Sequence, residues 1–243
     1  MFRDTLTPAM PTRLLLPVAL VQGLWVKSRT PVLPPARGRR GRIGDAQGLT
    51  AVIAGVGDSI IAGAGVRHQR DALTGQFARR WHEHFRQPVE WRAHGVNGAT
   101  SALILHQVAP HAPAADVYLV SAGVNDAVRG IRSTQYAHNL LGVVQVLREK
   151  SARSVIVFAG LPQLEYFPAL PWPLGAVLAQ RTRALQTAAR EIAQQDTGGL
   201  LCYDFPPIMS PENFASDGFH PSSVACADWA GHLLELCLGN SRW

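Results

Sequence analysis

The feature that most constrains this chain is an alternation. From Thr50 onward, short apolar runs exchange with stretches whose apolar residues recur at helical spacing. The runs "TAVIAGV" (50–56), "VEWRAHG" (89–95), "ADVYLVSAG" (115–123), "SVIVFAG" (154–160) and "LLCYDF" (200–205) read as strands. Helices are expected over 72–85, 101–108, 134–149, 174–195 and 222–238. Within 72–85, Leu73, Phe77, Trp81 and Phe85 stand four residues apart and mark one helix face. Strands joined through helices must pair in parallel, and each crossover packs back onto the sheet. The expectation is one α/β domain over residues 50–243, its parallel sheet covered on both faces. In such sheets the working site lies at the carboxyl ends of the strands.

Residues 1–49 are a different kind of sequence. Arg13 precedes "LLLPVALVQGLWV" (14–26) and Lys27 follows it. Thirteen mostly apolar residues are short for a bilayer span. They resemble the h-region of a signal peptide, but no A-x-A-like cleavage site follows. An uncleaved interfacial anchor, a poor signal peptide and a packed helix are the three readings. A cytoplasmic or peripherally membrane-associated protein is favoured over a secreted one. Residues 28–50 are rich in Pro, Gly and Arg and read as an extended arm with no core of its own. Arg37, Arg39, Arg40 and Arg42 contribute much of the net charge of +6. With no recognition motif beside them, they predict no nucleic-acid partner. Peripheral membrane contact through residues 14–42 is the expected use of this region.

The predicted strand ends carry polar, glycine-containing clusters: "GDS" at 57–59, "GVNGAT" at 95–100, "SAGVND" at 121–126 and, after the last strand, "SDGFHPS" at 216–222. Acyl transfer needs a nucleophile, a base, a group orienting the base, and donors for an oxyanion. Ser59 can supply the hydroxyl and His220 the base. Asp217, three residues before His220, can fix the imidazole tautomer from a tight turn. Gly98 can bring a backbone N–H close to a substrate oxygen, and Asn125 can offer its amide. The competing reading of Ser59 alone is a helix cap. Asp58 and Asp126 read as turn-forming residues.

These four blocks, in this order, resemble the SGNH hydrolases, the GDSL-type lipases and esterases. The resemblance runs from about residue 50 to 235. Ile60 keeps the family pattern, whereas Ala225-Cys226 stand where many relatives carry Gly-Tyr. The resemblance implies a three-layer α/β/α, flavodoxin-like fold with no cofactor. It implies Ser59 as nucleophile paired with Asp217 and His220, and an oxyanion hole of the Ser59 and Gly98 N–H groups and the Asn125 amide. The expected function is a serine esterase on small carboxylic esters of short to medium acyl chain, lysophospholipase- or arylesterase-like, working through an acyl-enzyme. A thioesterase or carbohydrate deacetylase on the same site is the alternative, and a membrane-associated binding protein the non-enzyme alternative.

Tyr166, Phe167 and Trp172, in "LPQLEYFPALPWPLG" (161–175), are expected either to wall the acyl pocket or to pack on the sheet. His68 is expected to border the site. Of the nine histidines, His82, His84, His106, His138 and His232 fall in predicted helices and read as surface or packing residues. "HEH" at 82–84 is not a metal motif, because alternate helix positions point apart. Cys202, Cys226 and Cys237 form no Cys-x-x-Cys pair, so neither a disulfide framework nor a metal site is expected. "GVGDSI" begins like a dinucleotide fingerprint but carries Ile60 at its sixth position and no acidic partner about 20 residues on.

Overall fold

The computed structural model describes residues 12–45, 49–205 and 210–239. Residues 1–11 of the N-terminal segment and 46–48 of the arm lie outside them. Six strands form one sheet: β1 (Arg40–Ile43), β2 (Ala51–Gly57), β3 (Val89–Gly95), β4 (Val117–Ser121), β5 (Val155–Phe158) and β6 (Leu200–Cys202), in the order β1-β3-β2-β4-β5-β6. The five strands read from the sequence pair in parallel in the flavodoxin-like order.

The sixth strand corrects the reading of the arm. Arg40–Ile43 add to the sheet edge antiparallel to β3, with Arg40 opposite Arg92 and Ile43 opposite Val89. The Pro and Gly content hid it, since its exposure alternates and it has no apolar run. The Cβ of any larger residue at position 41 would fall 2.5 Å from the Trp91 ring, so Gly41 is what lets the strand close over that indole.

The helices are α1 (Thr12–Arg29), α2 (Ser59–Ala62), α3 (Leu73–Phe85), α4 (Ser101–Leu103), α5 (Val124–Arg129), α6 (Ser133–Lys150), α7 (Leu174–Gln195) and α8 (Ser223–Leu238). The expected helix over 101–108 is α4 followed by a widened π turn, Ile104–Val108. Alternation along the strands divides the core. Ala54, Val56, Tyr118, Val120, Ile156 and Phe158 point to one face, where they meet Leu140, Leu147 and Leu185 of α6 and α7. Ile53, Val117, Leu119, Val155 and Val157 point to the other, against Phe77 and Trp81 of α3 and Trp229 and Leu233 of α8. Burial of these side chains, worth ~1.5–3 kcal/mol each, drives the three-layer arrangement.

A third cluster lies beyond the sheet. Leu164, Phe167, Leu170 and Leu174 pack with Val177 and Leu178 of α7, and Ala19 of α1 is buried among them. Within the N-terminal segment, Thr12–Arg29 is therefore helical and docked on the domain. Gln22 secures it: its Nε2 donates to the Trp172 carbonyl at 2.8 Å, and its Oε1 accepts from Leu174 N–H at 3.0 Å. Among the described residues no helix is long and apolar enough to cross a membrane.

Candidate active site

The strand ends bring the four clusters together. β2 runs out at Gly57, and the chain turns at once into α2 with Ser59 as its first residue. The cap of α2 is Asp58, whose Oδ1 accepts from Ile60 N–H at 3.1 Å. The capping task is thus taken by Asp58, and the Ser59 hydroxyl is left for another partner. That partner is His220, whose Nε2 lies 3.0 Å from Ser59 Oγ across 161 residues of chain.

His220 is held by its own turn. Asp217 Oδ1 accepts the backbone N–H of Phe219 and of His220, each at 3.0 Å, while Oδ2 meets His220 Nδ1 at 2.6 Å. Burial alone would raise the Asp217 carboxyl, but the hydrogen bonds from the His220 ring and the two backbone N–H groups outweigh it. The carboxyl is held below its usual range. An ionised Asp217 only accepts, so Nδ1 carries the proton and Nε2 presents its lone pair to Ser59. An arrangement of this kind can take a proton from the hydroxyl and return it to a leaving group.

Gly98 stands on the loop after β3, and Asn125 stands in the first turn of α5. The Asn125 amide donates to the Ala99 carbonyl at 3.0 Å, which leaves its second N–H free for another acceptor. Gly98 has φ +75°, and nothing lies within 4 Å of where a Cβ would stand, so the side-chain direction there is open. Asp126, one residue on, ties this corner down. It accepts Ser101 N–H at 2.9 Å and Ser101 Oγ–H at 2.5 Å, and Asn139 donates to Ser101 Oγ at 2.9 Å. Asp58 is similarly anchored by Ser121 Oγ–H at 2.9 Å. Burial dominates its titration and, against the pull of Ile60, Ser121 and His220, raises its pKa to about 6.

Ser121, Ser101 and Asn139 escaped the sequence reading, because a buried serine or asparagine within an apolar pattern carries no local signal of its partner. Gly65, four residues before Gln69 and two after Gly63, follows α2 closely enough to reach the His220 turn. Its lack of a side chain makes room for the histidine. A Cβ there, at φ +104°, would stand 2.7 Å from the Pro221 carbonyl and 3.2 Å from His220 Cβ.

Phe167 is buried, its ring edge-on to Phe214 and to Phe219, the neighbour of His220. Tyr166 and Trp172 are exposed. His68 lines a cavity of about 400 Å³ with Leu33, Pro34, Pro35 and Arg37 of the arm, Gly65–Arg67 and Ser216. The arm reaches it by hydrogen bonds to α2 and to the loop after β3: Ala36 N–H to the Ala62 carbonyl at 2.9 Å, and Asn97 Nδ2 to the Leu33 carbonyl at 3.0 Å. Burial raises the thiols of Cys202, Cys226 and Cys237, each to about 12, so all three stay protonated and unreactive.

Residues 56–225 match the model of the GDSL-like lipase/acylhydrolase family. The chain belongs to that family and is a carboxylic ester hydrolase. Among solved structures it is similar to the lipase Lip_vut3 from a goat rumen metagenome, at 18% identity and TM-score 0.59, covering 76% of this chain and 97% of that one. It is similar also to the psychrotrophic esterase EstA from Pseudoalteromonas sp., at 16% identity and TM-score 0.56, covering 78% and 100%. A Clostridium thermocellum family 3 carbohydrate esterase shares the fold at 16% identity and TM-score 0.58, covering 79% and 96%. No curated protein matches the sequence.

Proposed function

We propose that this protein is a serine esterase of small carboxylic esters with short to medium acyl chains, working through an acyl-enzyme. The observation that carries the reading is the unbroken chain of contacts from Asp217 through His220 to Ser59, at 2.6 and 3.0 Å. Ser59 Oγ attacks the ester carbonyl as its proton passes to His220 Nε2. The Ser59 and Gly98 N–H groups and the free N–H of Asn125 receive the charge that develops on the carbonyl oxygen. Asp217 stabilises the imidazolium. The carbon–oxygen bond to the alcohol then breaks, and the alcohol leaves with the Nε2 proton. Water, losing a proton to the same Nε2, attacks the acyl-serine, and the returning proton restores the Ser59 hydroxyl as the acid departs.

The segment 161–175 supports a restricted acyl length. It sits against the His220 turn through the Ala169 N–H bond to the Gly218 carbonyl, at 3.2 Å, and through Phe167 on Phe219. The test is hydrolysis of p-nitrophenyl esters of graded acyl length by wild type and Ser59→Ala, with an acyl thioester and an acetylated sugar alongside. The variant is expected to lose about 10⁴-fold or more in kcat. Equal rates for the two proteins would overturn the mechanism. A stronger preference for the thioester or the acetylated sugar would replace the substrate class and leave the mechanism standing.

A further inference from the structure

The outward side of α1 is apolar where a docked surface helix is normally polar. Leu15, Ala19, Gln22, Gly23 and Val26 turn toward α7 and the 164–174 segment. The rest of the circumference carries Leu16, Val18, Leu20, Val21, Leu24 and Trp25, exposed by 39–68%. A helix that is apolar all round is ordinarily buried on every side. Here the protein covers one side only, and Trp172, 71% exposed, extends the uncovered area.

The charge around this surface selects what covers it. Between Thr12 and Gly44 the chain has seven Lys and Arg residues and no Asp or Glu. At the end of the helix the Arg29 guanidinium lies over the Trp25 ring, 5.2 Å from its centroid, and Lys27 is exposed beside it. Exposed aliphatic residues bordered by tryptophan and cations match the layers of a lipid surface: acyl chains, then the headgroup boundary, then anionic groups. A second protein surface would need no such gradient from apolar to cationic.

We propose that α1 seats this protein on an anionic lipid surface, with the domain occupying one side of the helix and lipid the other. The seat lies beside the candidate active site. The cluster that holds Ala19 includes Phe167, which packs on Phe219, and Phe219 packs on the His220 ring at 5.3 Å. The docked side of α1 is thus joined to the His220 turn through two packed rings. The lipid seat does not depend on the esterase reading.

The experiment is sedimentation of the full chain with phosphatidylcholine vesicles, with and without phosphatidylglycerol, while turnover of a soluble p-nitrophenyl ester is followed in parallel. Binding is expected to the anionic vesicles and to weaken as salt rises. Leu20→Glu with Leu24→Glu is expected to abolish binding and leave soluble turnover unchanged. Lys27→Gln with Arg29→Gln, both at exposed positions, is expected to weaken binding by about 30-fold. Failure of the wild type to bind either vesicle overturns the proposal. So does a dimer in light scattering that the Leu20/Leu24 variant dissociates, which would give the face to a second copy. Loss of soluble turnover in the wild type would count against the esterase reading alone.

Discussion

Asp58 stands next to the candidate nucleophile and is 2% exposed, and its titration makes it costly to keep charged. Its carboxyl is ordinarily half ionised at 3.8 and here at about 6, so the folded state holds the proton more tightly than the unfolded one. The stability this provides is complete below about pH 4 and is lost as pH rises through about 6, a loss of about 3 kcal/mol. Asp58→Asn keeps an oxygen for Ile60 N–H and for Ser121 Oγ–H but carries no charge. It is expected to flatten the stability profile over that window and to be more stable than wild type at pH ~8. Urea denaturation as a function of pH measures this, and parallel profiles for the two proteins would contradict it. Nothing in "GDS" discloses such a cost, although the serine, the histidine and the acid that meets it were all legible. Those three belong to a spaced pattern, whereas the burial of Asp58 depends on β4 lying alongside.

At the scale of elements, the corner bearing Gly98 and Asn125 is a joint of three helices. α4 contributes Ser101, α5 Asp126 and α6 Asn139, and the Ser101 hydroxyl is the shared member, donating to one and accepting from the other. All three side chains are buried. Ser101→Ala strands a carboxylate oxygen and an amide together. It is expected to cost about 2 kcal/mol in chemical denaturation. A loss well under that would mean the joint is not cooperative. The long elements were readable because each carries enough residues to show its period: α7 occupies 174–195 as expected, and Leu73, Phe77 and Trp81 are buried on α3. β1 was not, because four residues with two exposed arginines give no period and gain their place only from β3. The π turn after α4 is likewise a tertiary outcome, with Ile104 and Val108 both reaching the core.

Across the whole molecule, the recognisable family region starts later than the fold does. The family match begins at residue 56, yet β1 covers the edge of β3, Ala36 is bonded to Ala62 of α2, and Leu33 to Asn97 in the loop after β3. A chain begun at Thr50 is expected to have a lower melting temperature and a greater tendency to aggregate, since the β3 edge is then open. Its soluble-ester kcat is expected to fall as well. Thermal unfolding and p-nitrophenyl ester kinetics, compared with the full chain, measure both, and full-chain values in the shortened protein would refute the role given to the arm. The cavity that His68 lines takes Leu33, Pro34, Pro35 and Arg37 from that same arm. One wall of that cavity and the candidate catalytic groups therefore lie on separate stretches of chain. Changes in the arm can reshape that cavity while the candidate catalytic groups stay fixed.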